Sequence, residues 1–336
     1  MNQRIPGSVK ASGIIKYLTM RHSYFTVMIL LLLGTFTGSA QQDPQYTQYM
    51  YNTQVVNPGY AGSREALSFG LLYRTQWVGL DGAPKTGTFT VNSPIGSLEN
   101  MGLGLSIVRD ELGPSIESNV TIDYSYTINT SDDGKLAFGL KAGLDLLDVD
   151  FTKLNIADPG DVFETNIDNR IQPQIGAGVY YHTEKFYAGL SVPNFLTTKH
   201  FDESTLDDIQ NGGFNGSITA AERLHYFLIA GYVFDLNENL KFKPATLVKA
   251  VSGAPLQWDV SANFLLYEKV TLGAAYRWSA AMSAMVGFQA SDEIFIGFGY
   301  DYQTTDIEDF SDGSYELMVR FDLFKKPERV LTPRFF

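Results

Sequence analysis

The fold is decided by residues 257–302, QWDVSANFLLYEKVTLGAAYRWSAAMSAMVGFQASDEIFIGFGYDY. Its first segment alternates apolar and polar residues one by one: Trp258, Val260, Ala262 and Phe264 against Asp259, Ser261 and Asn263. The alternation recurs three more times, with turns at 267–269 and 291–293. Period two is the pattern of a β-strand with two different faces. The stretch predicts four consecutive strands with an apolar face ending in aromatic residues and a face of small, polar and charged residues.

Two architectures contain strands of this kind. A soluble β-sandwich buries the apolar face against a second sheet, whereas a transmembrane β-barrel turns that face toward lipid. Strands of about ten residues have the length that crosses a bilayer at a tilt. Trp258, Trp278, Tyr300 and Tyr302 fall where an interfacial aromatic girdle would lie. The sequence therefore favours the barrel.

Similar segments continue through the chain and predict an all-β fold, a transmembrane antiparallel β-barrel of about 14 strands over residues 66–324. The predicted strands are 66–77, 86–93, 101–110, 116–130, 135–148, 171–183, 185–193, 223–235, 240–251, 256–267, 269–279, 281–290, 294–304 and 314–324. The even-numbered connections are short, while the odd-numbered set contains every long one: 150–170, 194–222 and 305–313. Bacterial barrels have short periplasmic turns and long outer loops. This sorting predicts that both chain ends and the short turns face the periplasm.

The last strand sets the direction of the two faces. Leu317, Val319, Phe321 and Leu323 alternate with Glu316, Arg320 and Asp322. A basic residue on the lipid face near the midplane would cost about 2–4 kcal/mol, so we expect the charges in the lumen. The period-two pairs Gly102/Gly104 and Gly297/Gly299 fall on the same inner face. Their small size would admit something packed inside.

Residues 1–40 have the organisation of a secretory signal peptide. They contain Arg4, Lys10, Lys16 and Arg21 and no acidic residue, then an apolar run over 24–36 and small residues before a cut after Ala40. Met20 is a candidate for the true start. The alternative, a single anchoring helix, is disfavoured because the apolar run is too short to span a bilayer.

The segments that flank the predicted barrel are not strand-like. Residues 41–65 mix polar and aromatic residues and are punctuated by Pro and Gly. This N-terminal arm would plug the barrel, lie across its periplasmic mouth, or stand without a partner. Residues 325–336 are predicted to form a periplasmic C-terminal tail.

Composition narrows the class of protein further. Removing the four basic residues of the signal peptide from the 25 in the chain leaves 21 against 37 acidic residues, which argues against nucleic-acid binding. The chain has no cysteine, so disulfides and thiolate sites are excluded. No segment after residue 40 approaches the 18 consecutive apolar residues of a transmembrane helix. An exported chain of this kind fits the outer membrane of a Gram-negative bacterium.

The sequence contains no recognisable catalytic constellation. His182 falls in a short turn and His200 in a long loop, where we expect solvated side chains, and His225 has no serine at a catalytic spacing. Acidic residues cluster in two outer loops: Asp301, Asp306, Glu308, Asp309 and Asp312 in one, Asp202, Glu203, Asp207 and Asp208 in the other. Their spacing lacks an EF-hand pattern, so solvated loops are favoured over Ca²⁺ sites. We predict no enzyme activity, no cofactor and no metal.

Several motifs lie outside the strand pattern. They are DPQYTQYM at 43–50, NPGYAG at 57–62, YRTQWVGLDGAPKT at 73–86, SVPN at 191–194, Lys243-Pro244, GAP at 253–255 and TPRFF at 332–336. Together they resemble the PorP/SprF family of type IX secretion membrane proteins over essentially the whole mature chain. The family commonly has Ala after Asn-Pro, so Gly59 is a mild departure.

The resemblance implies a non-enzymatic outer-membrane component of the type IX system, with a role in protein export and gliding. Members help to export or surface-anchor cargo, often large adhesins, and associate with the periplasmic machinery. The expected partners are therefore secreted cargo, secretion-machinery subunits and membrane lipid. The candidate interaction or structural residues are Asn57, Pro58, Arg74, Gln76, Trp77, Asp81, Gly82, Pro84, Lys85, Thr86, Pro333 and Arg334.

The block at 74–86 would form the first outer hairpin, with Arg74 and Gln76 turned into the lumen and a tight turn at 81–84. One hypothesis is that it folds over the pore and contacts cargo. The other is a structural turn with a buried Arg–carboxylate pair. For the whole protein, the alternative function is an outer-membrane diffusion channel or small-solute transporter, which needs an open lumen.

Overall fold

The computed structural model describes residues 44–96, 100–153, 166–196, 224–251 and 254–323. These residues form fifteen strands: β1 (Leu67–Thr75), β2 (Lys85–Ile95), β3 (Met101–Leu112), β4 (Ser115–Asn129), β5 (Lys135–Val149), β6 (Ile167–His182), β7 (Phe186–Val192), β8 (His225–Tyr232), β9 (Phe234–Asn237), β10 (Leu240–Val251), β11 (Gln257–Leu266), β12 (Val270–Arg277), β13 (Ala281–Gln289), β14 (Ile294–Gln303) and β15 (Ser314–Leu323). Each strand pairs antiparallel with its sequence neighbour, except that β8 and β9 both pair with β10.

The sheet closes on itself. β15 pairs with β1 over its whole length, from Leu67 opposite Leu323 to Thr75 opposite Tyr315. β10 pairs with β11, which joins the two ends of the strand order. β8 and β9 pair with successive parts of β10 and together occupy one place in the ring. The ring therefore has fourteen strands, with β9 as one extra short segment. The predicted antiparallel barrel of about 14 strands is therefore confirmed.

The two faces of the wall follow the alternation in the sequence. In β15, Leu317 and Phe321 are exposed on the outside, while Glu316, Arg320 and Asp322 are buried inside. The same holds in β11 for Trp258 and Phe264 against Asp259 and Asn263. Trp258 and Trp278 stack with ring centroids 6.3 Å apart. The apolar exterior and polar interior match a barrel that faces lipid.

The predicted strand 223–235 is interrupted in the structure. Val233 is completely buried, and its N–H donates to the carbonyl oxygen of Lys185 at 2.9 Å. The ladder between β9 and β10 then shifts between Leu240 and Lys241. A β-bulge of this kind leaves the apolar alternation almost unchanged, so period two alone does not reveal it.

The two ends of the barrel differ in their connections. We call one the short-turn end; its connections are 96–100, 130–134, 183–185, 238–239, 267–269 and 290–293. The opposite, long-loop end carries 76–84, 150–166, 193–224 and 304–313 together with three shorter links. The predicted sorting of long and short connections is therefore present. β1 begins and β15 ends at the short-turn end.

Helical structure among the described residues is limited to single turns. They are α1 (Thr53–Val56) and three 3₁₀ turns at Pro58–Tyr60, Phe151–Lys153 and Asp306–Phe310. In the described part of the chain, no helix has the length and apolar character needed to cross a membrane.

Candidate functional site

Residues 44–66, which we call the plug, lie inside the barrel. Their side chains and main chain bond to inward-facing groups on strands around the ring, including Thr88 on β2, Ser261 on β11 and Asp301 on β14. Tyr46, Tyr49, Met50 and Tyr60 are buried against inner-wall residues such as Leu72, Tyr180 and Ile229. Of the arrangements considered for the N-terminal arm, the structure has the one that fills the lumen.

The plug runs from one end of the barrel toward the other. Gln45 bonds to Gln257 and Arg277, which lie where β11 begins and β12 ends at the long-loop end. Glu65 forms an ion pair with Lys135, the first residue of β5 at the short-turn end. The chain thus passes down the lumen before β1 begins. Leu323 lies at the short-turn end and Gln45 at the long-loop end. The two chain ends lie outside the described residues, so the expectation that both face the periplasm stays a prediction.

Arg74 is at the centre of a buried charge cluster that holds the plug. It lies directly opposite Glu316 in the ladder between β1 and β15, and alternation turns both side chains inward. Its Nη2 is 2.6 Å from Asp301 Oδ2, and its Nη1 is 3.3 Å from Glu316 Oε2. The Arg–carboxylate pair expected by the structural hypothesis is present, and Arg74 is 1% exposed.

The two carboxylates of this cluster also bind the plug directly. Glu316 accepts the main-chain N–H of Thr47 at 2.9 Å and that of Gln48 at 2.8 Å. The Thr47 hydroxyl donates to Asp301 Oδ1 at 2.6 Å and accepts from Arg74 Nη1 at 2.7 Å. Hydrogen bonds to a charged group are about twice as strong as neutral ones. The cluster therefore fastens the beginning of the plug to β1, β14 and β15.

A second ion pair holds the segment just before Thr47. Arg277 Nε is 3.0 Å from Asp259 Oδ1. The same guanidinium donates to the side-chain oxygen of Gln45 at 3.1 Å and to the carbonyl oxygen of Tyr46 at 3.4 Å. The plug entrance is thus bonded to β11 and β12 as well.

The middle of the plug is held by amide side chains. Gln54 Nε2 lies within 3.3 Å of acceptors on β2, β3 and β4, and its Oε1 accepts from Asn92 at 2.9 Å. Asn57 Oδ1 accepts the N–H of Gly59 at 2.9 Å and caps the Pro58–Tyr60 turn, while its Nδ2 donates to the Val179 carbonyl at 3.1 Å. The predicted residues Asn57 and Pro58 are therefore plug residues, and Asn57 has no exposed surface.

Glycines on the inner wall give the plug its space, as the paired glycines predicted. A Cβ added to Gly102 would lie 2.1 Å from the Ala61 carbonyl oxygen, and one on Gly297 would lie 2.2 Å from Gln48 Oε1. At Gly139 the added atom would lie 2.1 Å from the main-chain nitrogen of Gly59. Any larger residue at these positions would collide with the plug.

The plug leaves the lumen at another buried ion pair. Arg64 donates to both oxygens of Asp322, with Nε 3.1 Å from Oδ1 and Nη2 2.6 Å from Oδ2. Ser68 on β1 donates to the same carboxylate at 2.5 Å, and Arg320 lies 3.2 Å from it. The carboxylate at the end of β15 therefore fixes the point where the plug turns into β1.

The hairpin between β1 and β2 is tied to both neighbouring loops. Val78 exchanges main-chain bonds with the loop before β15, donating to Gly313 at 2.9 Å and accepting from Asp312 at 2.7 Å. The carbonyl of Gly82, whose φ of 74° suits glycine, accepts from Gly113 N at 2.9 Å. The remaining candidate residues divide by exposure: Gln76, Pro84 and Thr86 are buried, Trp77 is half-buried, and Asp81 and Lys85 are exposed. Contact of this hairpin with cargo stays a prediction.

Three expectations about polar residues are corrected or fall outside the structure. His182 is not a solvated turn residue; it ends β6 and is 2% exposed, packed near Tyr180. Asp301 does not belong to the outer acidic loop, because it lies in the lumen on Arg74. His200, Asp202, Glu203, Asp207, Asp208, Pro333 and Arg334 lie outside the described residues. Within the described ranges, no three acidic or histidine side chains are placed to hold a metal ion.

Sequence reasoning missed Thr47, Gln54 and Arg277 as plug contacts. Their signal is weak. Arg277 is a polar residue on the inner face of a strand, which has the same pattern whether it meets water or a packed segment, and Thr47 and Gln54 lie in a segment without strand periodicity. The clue would have been the inward charges on β1, β14 and β15, of which β1 joins the other two only when the ring closes.

A cavity of about 80 Å³ remains between the plug and one side of the wall. Its plug side is formed by Pro44, Tyr46, Val55 and Val56. The barrel side mixes apolar residues such as Val108 and Phe227 with polar ones such as Asn119 and Gln174. Since Pro193 and Asn194 also line it, the cavity lies toward the long-loop end. This volume is below the roughly 300–1,000 Å³ of ordinary ligand pockets.

The solved structures that the chain resembles are outer-membrane proteins. The Acinetobacter baumannii outer membrane protein Omp33 matches with a TM-score of 0.44 and 8% identity over 77% of this chain and 100% of its own. The CymD monoaromatic hydrocarbon channel matches with a TM-score of 0.48 and 10% identity, over 84% of this chain and 94% of its own. A Pseudomonas aeruginosa FadL homologue matches with a TM-score of 0.41 and 13% identity, over 86% of this chain and 97% of its own. No curated protein sequence matches the chain.

The family comparison covers most of the chain. The model of the type IX secretion system membrane protein PorP/SprF matches residues 38–321. That range includes the plug, the complete ring up to Phe321 and the Arg74 cluster. This outer-membrane β-barrel belongs to the PorP/SprF family of type IX secretion system membrane proteins.

Proposed function

We propose that the barrel is a non-enzymatic outer-membrane component of the type IX secretion system that helps to export cargo or to anchor it at the cell surface, with large gliding adhesins among the cargo. The observation that carries the proposal is the plug, which is fastened to the wall by Arg74, Asp301 and Glu316. A lumen filled in this way leaves the two mouths of the barrel, not its bore, as the working surfaces.

The proposed orientation follows from the two kinds of connection. The short-turn end, with the C-terminal tail 325–336, would face the periplasm, where machinery subunits dock. The long-loop end would face outward, where the β1–β2 hairpin and the cavity are available to cargo. Gln45, near the start of the plug, lies at that end and bonds to Arg277.

The alternative, an outer-membrane diffusion channel or small-solute transporter, needs a continuous aqueous path. The plug opposes it because buried bonds fix the segment at its entrance, middle and exit: Thr47, Gln54 and Arg64. Those residues bond to β14, β15 and β2–β4, while Asn57 bonds to Val179 on β6 and Val56 to Ser191 on β7. Plug contacts are therefore spread along much of the ring.

Purification of the tagged full-length chain from gently solubilised outer membranes tests the proposal. We expect secretion-machinery subunits and a large surface protein to copurify in fixed ratio. A deletion of the gene should block display of that surface protein while leaving general outer-membrane integrity intact. A lone barrel that conducts ions steadily in a planar bilayer would refute the proposal in favour of the channel.

A further inference from the structure

A second layer of polar residues lies above the Arg74 cluster, at the outer ends of the same three strands. Gln76, Gln303 and Ser314 each lie two positions nearer the long-loop end than a member of that cluster. Alternation turns all three side chains inward, and their exposed fractions are 9%, 8% and 0%. We call these three residues the seal, because they lie between the buried charges and the outer mouth.

Ser314 joins the three strands of the seal. Its main chain is opposite Asp301 in the ladder between β14 and β15. Its hydroxyl oxygen accepts from the main-chain N–H of Trp77 at 3.1 Å and from Gln303 Nε2 at 3.3 Å. One hydroxyl therefore holds the outer ends of β1 and β14 to the beginning of β15.

The outer connections extend this junction beyond the strands. The main-chain bonds of Val78 to Asp312 and Gly313 continue the contact between β1 and β15 past the end of their ladder. A Cβ added to Gly79 would lie 3.6 Å from the Phe310 carbonyl oxygen, so the β1–β2 hairpin and the β14–β15 loop are in close contact. Both connections are described along their whole length.

Trp77 indicates that this contact constrains the hairpin. Its φ of 47° lies in the left-handed region, which is unfavourable for a bulky residue. Such a conformation persists only where the surrounding structure holds it. Here the Trp77 N–H donates to Ser314, and the Trp77 carbonyl accepts from the N–H of Leu80 at 3.1 Å. Loss of the Ser314 hydroxyl would remove one of the bonds that hold the hairpin in this form.

The seal also shields the Arg74 cluster from water. Arg74, Asp301 and Glu316 are each at most 1% exposed. Opposite charges attract each other far more strongly in a site without water than in bulk water. The bonds from Thr47 to this cluster benefit in the same way, because its acceptors are charged. Opening of the seal would therefore weaken the fastening of the plug without removing any member of the cluster.

We propose that the seal controls the plug: movement of the β1–β2 hairpin away from the β14–β15 loop opens the Ser314 junction, admits water to the Arg74 cluster and releases the plug at its entrance. The plug is the two-state element, seated or released, and the hairpin shifts its equilibrium. A partner that binds the hairpin in the displaced position favours the released plug. The identity of that partner rests on the proposed function, but the coupling between hairpin and plug does not.

Thiol labelling of the plug in the purified full-length chain tests this coupling. Met50→Cys places a single thiol on a buried plug residue, and a water-soluble maleimide reacts with it when the plug is released. We expect Ser314→Ala to raise the labelling rate roughly tenfold, because two donors lose their acceptor. The matched control is Thr246→Val, which removes a hydroxyl that also makes two hydrogen bonds, to Asp259 O and Trp258 Nε1, on the outside of β10. The control should leave the labelling rate unchanged.

A double-mutant cycle separates control of the plug from general loosening of the barrel. Glu316→Gln already weakens the bonds of the plug to the cluster, so Ser314→Ala in that background should change the labelling rate by less than about twofold. Heat-modifiable gel mobility confirms that each barrel is folded. The same tenfold rise in both backgrounds would mean that Ser314 acts independently of the cluster, and it would overturn the proposal. An unchanged labelling rate in the folded Ser314→Ala barrel would overturn it as well.

The outcome for the proposed function is separate. If labelling responds as expected but no cargo copurifies, the seal controls the plug and the proposed function fails. If cargo copurifies but Ser314→Ala labels at the rate of the control, the seal is a structural contact only and the proposed coupling fails.

Discussion

Glu316→Gln should release the plug while leaving the barrel closed. The carboxylate accepts two plug N–H groups, from Thr47 and Gln48, at 2.9 Å and 2.8 Å. Hydrogen bonds to a charged acceptor contribute about 1.5–3 kcal/mol each, and neutral ones about 0.5–1.5 kcal/mol. The amide keeps one acceptor and turns an NH₂ toward the second donor, so the seated plug should lose about 2–4 kcal/mol. That loss raises the released population by roughly two orders of magnitude.

Thiol labelling measures this population directly. Met50 is a buried plug residue, and Met50→Cys adds the only thiol in a chain without cysteine. Its labelling rate by a water-soluble maleimide reports the released fraction when the plug opens and closes faster than it is labelled. Glu111→Gln is the matched control, because Glu111 lies in an exposed ion pair with Arg109. If the folded Glu316→Gln barrel labels at the rate of the control, Glu316 does not hold the plug.

Other substitutions test the packing and the charges of the lumen. Gly139→Ala should destabilise the seated plug, because the added Cβ would lie 2.1 Å from the Gly59 nitrogen. Gly87→Ala is the control and should have no such effect, since a Cβ there meets nothing within 4 Å. Faster labelling of the plug thiol in both variants would contradict this prediction. Arg74→Ala leaves two buried carboxylates without their cation and should lower the unfolding free energy by about 3–5 kcal/mol, measured by urea unfolding in detergent. A loss below about 1 kcal/mol, the value of an exposed ion pair, would mean that the Arg74 cluster is hydrated.

The strand pattern could be predicted because lipid and lumen demand opposite chemistry from alternate residues. In β15, Leu317 and Glu316 have no other arrangement that keeps the charge out of lipid. Strand ends were less predictable. β6 begins at Ile167 instead of 171, because Asp168, Asn169 and Arg170 are all polar and give no apolar alternation that would extend the predicted strand.

The contents of the lumen could be anticipated only in part. Gly102 and Gly297 indicated that something packs against the inner wall, and the aromatic residues of the N-terminal arm made it a candidate. The partners of each charge could not be assigned. Arg74 and Glu316 are far apart in sequence and become neighbours only through the β1–β15 seam, and no local pattern records that seam. For the same reason Asp301 was placed with the loop acids that follow it in sequence.

The bond from Thr47 to Glu316 joins groups 269 positions apart, and this separation sets an order of assembly. Contacts of such high sequence separation form late in folding, because a long loop must close first. Until β15 arrives, Arg64 lacks Asp322 and Arg74 lacks Glu316. A chain that stops before its last strand therefore lacks the carboxylate that binds Arg64 and leaves Arg74 with Asp301 alone. The plug can therefore make its full set of bonds only in a chain that includes its last strand.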